Sequence, residues 1–305
     1  MAAYIVRRSL QGLITVFIVL IAIFLLVRLT GDPSLILLPI DAAPEEIQQL
    51  RESLGLDKPI YVQLVLYLRD IATGNFGNSF ATFVPIMDEL PTRLFNTAQL
   101  VFLDTLLTIA VAVPLGVLAA TRRGTSMETG IKILAFLGMS TPHFWLAIVM
   151  ILLFAVVLGW MPAGGMGTPR HIILPVCTMT LIHMAGIVRL LRSGMVDTLD
   201  ADYVKLAYSK GVSYRNIVWK HAFRNALIPV MTYGGQSIAI HMTGTIVVET
   251  VYSWPGIGRW IYTSMLIRDF PVIQACILSM VLITIFINLV VDICYSYVDP
   301  RIHLK

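Results

Sequence analysis

Residues 9–29 read SLQGLITVFIVLIAIFLLVRL, with Arg28 as the only charge. About 20 consecutive apolar residues are what an α-helix needs to cross bilayer hydrocarbon, so this stretch predicts a membrane-spanning helix. It exceeds the roughly 7–15-residue core of a signal peptide. It also closes on Arg28-Leu29-Thr30-Gly31-Asp32-Pro33 rather than on a small-residue cleavage site, so it is expected to persist as an anchor. Five further stretches meet the same standard once Pro, Gly, Ser and Thr are tolerated: 97–119, 131–159, 173–193, 228–251 and 272–297. The predicted fold class is an all-α integral membrane protein with six transmembrane helices. Composition agrees. Of 305 residues, 57% are hydrophobic and only 13% charged, where a soluble domain carries about 25% charged residues. Disorder, a collagen repeat and a secreted disulfide scaffold are excluded on the same grounds.

The surplus of positive charge is small, +4 overall, and its placement has a topological reading rather than one of nucleic-acid binding. Arg7 and Arg8 precede the first span and are expected to stay inside. Six spans then return the C-terminus to the same side, and the inner segments carry 14 of the 22 Lys and Arg, among them Arg122, Arg123, Lys205, Lys210, Arg215, Lys220 and Arg224. Basic residues concentrate on the cytoplasmic face, so both termini are expected to be cytoplasmic.

The chain divides into 1–29 with the first span, a hydrophilic outer segment 30–96, and a five-helix core 97–305 that contains an inner segment 194–227. Outside, Pro44-Glu45-Glu46 opens a helical run, Gly55 stops it, and Pro59 starts another through Asp70, so a small external cap is expected. Inside, Tyr203, Leu206, Ala207 and Lys210 fall at helical intervals and predict a short amphipathic helix. Ala112, Gly116 and Ala120 in one span, and Gly235, Ala239 and Thr243 in another, are spaced for close helix contact. Cys177, Cys276 and Cys294 lie in or beside apolar stretches without metal-ligand or CxxC spacing and are expected to be small buried hydrophobes.

No nucleotide-binding G-x-x-x-x-G-K-[ST], no H-E-x-x-H and no G-x-S-x-G occurs, so the residues give no catalytic or metal site and no cofactor in this chain. Asp104, His183 and His241 fall within spans, where ionisable groups persist when they are paired or face water. Glu249 and Asp292 lie nearer the span ends, and this scatter disfavours a proton relay. The histidines are expected to be packed, hydrogen-bonded side chains.

The most specific stretch is Asp202-Tyr203-Val204-Lys205-Leu206-Ala207-Tyr208-Ser209-Lys210-Gly211, followed by His221-Ala222-Phe223-Arg224-Asn225-Ala226-Leu227-Ile228-Pro229. It predicts a short helix ended by glycine, then a second basic helix leading to a proline at the next span. These residues resemble the EAA-type coupling loop of ABC importer permeases, in the pattern D-Y-x-x-x-A-x-x-K-G…H-x-x-R-N-A-x-x-P of the dipeptide, oligopeptide and nickel permease family. Lys205 stands where the general importer loop has its first Glu, and the closing Pro lies further downstream. Leu54-Gly55-Leu56-Asp57-Lys58-Pro59, Pro142-His143-Phe144-Trp145-Leu146, Ser253-Trp254-Pro255-Gly256-Ile257-Gly258-Arg259 and Arg268-Asp269-Phe270-Pro271 extend the resemblance along the chain. The first 30 residues, the long outer loop and the ending Asp299-Pro300-Arg301 resemble the "B" type of the two permease subunits.

The resemblance implies a type I (MetI-like) importer permease of the bacterial inner membrane, itself non-catalytic. It implies a second, homologous permease, two cytoplasmic ATPase subunits that hold ATP and Mg, and a periplasmic or lipid-anchored binding protein; contact with membrane lipid is also expected, and none with nucleic acid. Asp202, Tyr203, Lys205, Ala207, Lys210, Gly211, His221, Arg224 and Asn225 would then face the ATPase. Gln236, Ser237, His241 and Thr245 are candidates for the substrate path. Trp254, Pro255, Gly256 and Asp269 are expected as external anchors or binding-protein contacts, with Trp254 at the membrane interface. Di- or oligopeptides are the expected cargo; a nickel chelate, glutathione or an opine-type solute is the alternative within the family, Phe80-Ala81-Thr82 and Phe136-Leu137-Gly138 being similar to nickel-type members. An ATP-independent channel or sensor is the alternative of another class.

Overall fold

The computed structural model describes residues 2–30, 34, 43–53 and 55–298. The quoted Gly31-Asp32-Pro33, Leu54 and Asp299-Pro300-Arg301 lie outside them, as does the side chain of Cys294. The described chain is all helical apart from turns and one isolated bridge, Asn78 to Pro85. The helices are α1 (Ala2–Thr30), α2 (Pro44–Ser53), α3 (Ile60–Ala72), α4 (Ile86–Thr121), α5 (Ser126–Ser140) and α6 (His143–Val157). After them come α7 (Ile173–Leu199), α8 (Asp202–Ser209), α9 (Arg224–Val251), α10 (Ile257–Leu266) and α11 (Phe270–Val298). Four of them, within Val6–Leu29, Ile86–Thr121, Pro169–Leu199 and Phe270–Ile293, are long and apolar enough to cross a membrane, and the pair α5–α6 makes a fifth if its two halves form one span.

That fifth span departs from the single helix expected over 131–159. The helix direction bends by 109° between its halves. Thr141 takes an extended backbone, ψ 129°, as the residue before a proline must, and Pro142 brings no N–H to continue the ladder. An apolar run does not reveal such a break, because hydropathy is blind to a proline's missing donor. The stretch 228–251 is helical within α9, 28 residues long, and carries Thr232, Gly234, Gly235, Ser237 and His241.

The chain forms two compact units. The first comprises residues 1–95 with 256–286. Here α2 ends at Gly55, φ +63°, with Leu56 N–H returning to the Arg51 carbonyl at 2.8 Å, and the Gln63 side chain ties down the turn before α3 by donating to the Lys58 carbonyl at 2.8 Å. The Phe24 ring of α1 lies 5.6 Å from that of Tyr67 on α3. Asp269, at the corner before α11, is buried; it accepts the Ser79 hydroxyl at 2.5 Å and the backbone N–H of Phe80 at 3.0 Å and of Ala81 at 3.3 Å.

The second unit comprises residues 96–255 with 287–305. Its centre is the segment Pro169–Leu199: 67% of its apolar window is buried, so α7 is surrounded by protein, packed on α5, α6 and α9. In lipid the apolar effect does little to join helices, so close backbone approach and polar contacts carry the specificity. The expected stripe on α4 does this. Ala112 and Ala120 are buried, and a Cβ at Gly116 would stand 3.0 Å from the Leu191 side chain of α7. Met184, Leu191, Met195, Ala222 and Ala226 complete that core.

A second core gathers Leu100, Ala147, Leu174, Met179, Val248, Tyr252 and Trp254. Trp254, expected at the membrane interface, is only 3% exposed, and its indole N–H is donated to the Asn96 carbonyl at 3.0 Å. The Asn96 amide in turn donates to the Pro255 carbonyl at 2.9 Å. An indole can serve an interface or fill a core, and here the backbone acceptor on Asn96 lets it do the latter with its N–H satisfied.

Candidate functional site

Two places in the second unit gather the residues that chemistry would use. The first is the inner segment. Within 194–227, α7 runs on to Leu199, and Tyr214–Asn216 and the wide-turned Ile217–Phe223 lead without interruption into α9. Pro229 therefore lies inside a helical rod rather than starting one, where it brings no N–H to the ladder.

Between these two helical rods stands α8. Asp202 in its first turn favours the positive end of the helix dipole and pairs with Lys205 at 2.9 Å. Lys205, by hydrogen bond and charge, holds the Asp202 carboxyl below its ordinary 3.8, and Asp202 holds the Lys205 ammonium above 10.5. Val204 is the one wholly buried side chain of the helix, while Tyr203, Leu206 and Tyr208 are about half exposed. Gly211, φ +78°, turns the chain out of the helix with its N–H on the Tyr208 carbonyl at 3.0 Å. The Asn225 amide of α9 donates to the Tyr203 hydroxyl at 2.9 Å and to the His221 carbonyl at 2.8 Å. Tyr214 and Trp219 are also about half exposed. Aromatic and apolar side chains thus stand open beside the exposed Lys205, Lys210, Arg215 and Lys220. Ala207 and His221 are half-buried and Arg224 is exposed on its flank.

The second place is a cavity of about 290 Å³ between α4, α7 and α9. Its wall is chiefly apolar, from residues such as Ile109, Val113, Ile187 and Val230, and Thr105, Thr108, His183, Tyr233, Ser237 and His241 are the polar residues that line it. Of the expected path residues it gathers Ser237 and His241. Thr245 is buried with its hydroxyl donated to the Met242 carbonyl, and the Gln236 side chain lies outside the described ones. Gly186 makes room at the wall: a Cβ there would overlap the Tyr233 ring.

Behind the cavity lies a cluster that spacing in the sequence did not reveal. Asp104 is wholly buried; its Oδ1 accepts the Thr108 hydroxyl at 3.1 Å and the Thr180 hydroxyl at 3.2 Å. Its Oδ2 stands 2.7 Å from Nδ1 of His183 and 3.2 Å from Nδ1 of His241, whose rings stack at 3.3 Å and 11°. The only signal was that each of three spans holds an ionisable residue. Two further buried acids are satisfied: Glu249 accepts the Thr97 hydroxyl at 2.6 Å, and Glu128 pairs with Lys132 and Arg192, both at 2.5 Å.

Residues 112–304 match the family model described as "Binding-protein-dependent transport system inner membrane component", and residues 1–101 match its N-terminal companion. The chain is 35% identical over 314 residues to an oligopeptide transport system permease of Bacillus subtilis, and 37% identical over 331 residues to a dipeptide transport system permease of Alkalihalophilus pseudofirmus, with 99% of each chain covered in both. It is 38% identical over 306 residues to a glutathione transport system permease of Escherichia coli, covering 100% of both. Among solved structures, an inward-facing MetNI methionine ABC transporter is similar in fold, with a TM-score of 0.59 at 17% identity over 70% of this chain and 97% of that one.

Proposed function

Because the chain belongs to the family of binding-protein-dependent transport system inner membrane components, we propose that it is the transmembrane permease subunit of an ATP-driven importer that moves di- or oligopeptides, or solutes of similar size, into the cytoplasm. The observation that carries this reading is α8: a short, open, basic and aromatic helix that follows directly on α7 and is braced in its first turn, at Tyr203, by Asn225 of α9. A push on α8 reaches two helices that line the cavity.

In this reading α9 supplies the sixth span, both termini face the cytoplasm, and α2 and α3 belong to a cap outside the membrane. Two cytoplasmic ATPases bind ATP and Mg, one gripping α8 and the other a homologous second permease. A periplasmic or lipid-anchored protein delivers the solute. The chain itself does no covalent chemistry; it converts the closing and opening of the ATPases into access to the cavity from alternate sides. The cavity wall is chiefly apolar, with hydroxyl and imidazole groups at a few points, so it offers a solute few polar holds, and selectivity rests with the delivering protein. Glutathione is the alternative cargo favoured by the full-length similarity to the Escherichia coli permease, while nickel-chelate and opine-type solutes remain alternatives by resemblance.

The test is reconstitution in vesicles with the companion permease, ATPases and binding protein. Uptake is expected to require all of them and ATP. Solute flux through vesicles holding this chain alone, unaffected by ATP, would replace the importer with an uncoupled channel.

A further inference from the structure

We propose that Asp104, His183 and His241 form a binding site for a divalent transition-metal ion in the wall of the cavity. The proposal does not depend on which solute the protein moves. The three side chains come from α4, α7 and α9, and each brings one ligand atom to a place where all three lie within 4.8 Å of one another. The spacing fits a shared ion. With metal–ligand bonds of about 2.0–2.2 Å, neighbouring ligand atoms in tetrahedral or octahedral arrangements lie roughly 3–3.5 Å apart, close to the 2.7 and 3.2 Å that separate the imidazole nitrogens from Oδ2.

Three further observations point to a ligand rather than to packing. The carboxylate is oriented from behind: Oδ1 takes two hydroxyl hydrogen bonds, from Thr108 and Thr180, and Oδ2 is left for the imidazoles, as outer-shell partners fix a coordinating carboxylate. Nδ1 of His241 is buried and has no hydrogen-bond partner, although it stands beside Oδ2 and its side chain is only 9% exposed. The ring nitrogen is thus within reach of the carboxylate but not aligned to share a proton with it, as a nitrogen and an oxygen that face a common ion would be. Finally, among the described residues no lysine or arginine pairs with Asp104, so the carboxylate is offset only by what the imidazoles or a bound cation supply.

The donor set decides the class of ion. Two imidazole nitrogens and one carboxylate oxygen suit Zn, Co, Ni or Cu in the divalent state, whereas Mg and Ca take oxygen ligands. The stacking of the rings adds a mechanical consequence. Parallel imidazoles point their lone pairs in parallel, so an ion cannot lie in both ring planes while they stack. Loading turns one ring out of the stack, and His241, with its unpartnered Nδ1, is the one placed to move. Since α9 is the helix braced to α8, the ion would sit where the cavity wall and the inner surface share one rod.

The experiment is a Co(II) titration of the full chain purified with its partners in lipid nanodiscs, read by the visible bands of the bound ion and by elemental analysis after chelator washing. One ion per chain is expected. His183→Ala and His241→Ala should each lower affinity at least tenfold. Thr108→Val, which touches only Oδ1, should lower it roughly 10- to 100-fold. His241→Cys keeps a ligand and should restore retention with an added sulfur-to-cobalt charge-transfer band. The proposal is overturned if no ion is held above the level of a nanodisc control, if the alanine variants hold it as well as the parent, or if His241→Cys behaves as His241→Ala in an equally well assembled sample.

Discussion

The Asn225 side chain donates to the Tyr203 hydroxyl at 2.9 Å across 22 residues of sequence, and this bond joins the open helix α8 to α9. It adds to the hold that the buried Val204 gives α8. Tyr203→Phe removes the acceptor and keeps the ring. A single exposed hydrogen bond contributes about 0.5–1.5 kcal/mol, so assembly should survive. The expected loss is roughly two- to fivefold in solute moved per ATP hydrolysed, measured in vesicles with both quantities followed together. An unchanged ratio would remove this bond from the coupling path.

At the other end of α8, Gly211 sits at φ +78° with no atom within 4 Å of where a Cβ would stand. Any penalty on substitution is therefore conformational, about 1–2 kcal/mol for a residue forced left-handed. Gly211→Asn should be tolerated best, since asparagine accepts that region at helix ends. Gly211→Val should be worse, and Gly211→Arg should insert normally yet hydrolyse ATP without proportionate uptake. Equal transport by all three at equal abundance would show that the turn does not matter.

The Asp202–Lys205 pair sets a window of pH. Asp202 lies below its ordinary 3.8 when folded, so its contribution is present above that value and is lost as pH falls through the lowered one. Lys205 lies above 10.5, so its contribution is present below that value and is lost as pH rises through the raised one. Between the two limits nothing titrates in this pair. Both groups are open to water and salt-screened, so their contribution is small. Asp202→Asn should thus lower uptake by the same modest ratio at mildly acid and mildly alkaline pH, and a ratio that changes between them would assign the pH dependence to other groups.

The apolar runs and the α8 signature were legible because lipid and helix periodicity both act locally. Gly211 could be read as a helix stop from its place after Lys210 alone. The 109° break at Pro142 could not, because hydropathy counts side chains and not backbone donors. Nor could the burial of Trp254, which depends on a carbonyl at Asn96, 158 residues earlier. The Asp104–His183–His241 cluster belongs to the same class: its members are far apart in the chain, and only the packing of α4, α7 and α9 brings them to one oxygen.

Gly186 and Tyr233 form a matched pair at the cavity wall, the ring occupying the space a Cβ would need. Gly186→Ala forces the phenol to move, an overpacking cost of about 1–3 kcal/mol. The variant should be less thermostable, and Tyr233→Ala in the same chain should restore stability by vacating the space. If the double variant is no more stable than the single one, the strain lies elsewhere.

Asp269 shows how a loop within the first unit is held. Its two oxygens collect the Ser79 hydroxyl and the N–H groups of Phe80 and Ala81, so a buried carboxylate organises a loop nearly 190 residues earlier in the chain. Hydrogen bonds to a charged group contribute about 1.5–3 kcal/mol each. Asp269→Asn keeps the shape but turns one acceptor into a donor that faces other donors. The loop at 79–82 should therefore loosen, read as faster proteolysis and faster amide exchange of Phe80 and Ala81. Ser79→Ala removes one donor only and should loosen it less. If both variants protect these amides as the parent does, the loop owes its order to the Asn78–Pro85 bridge and not to Asp269.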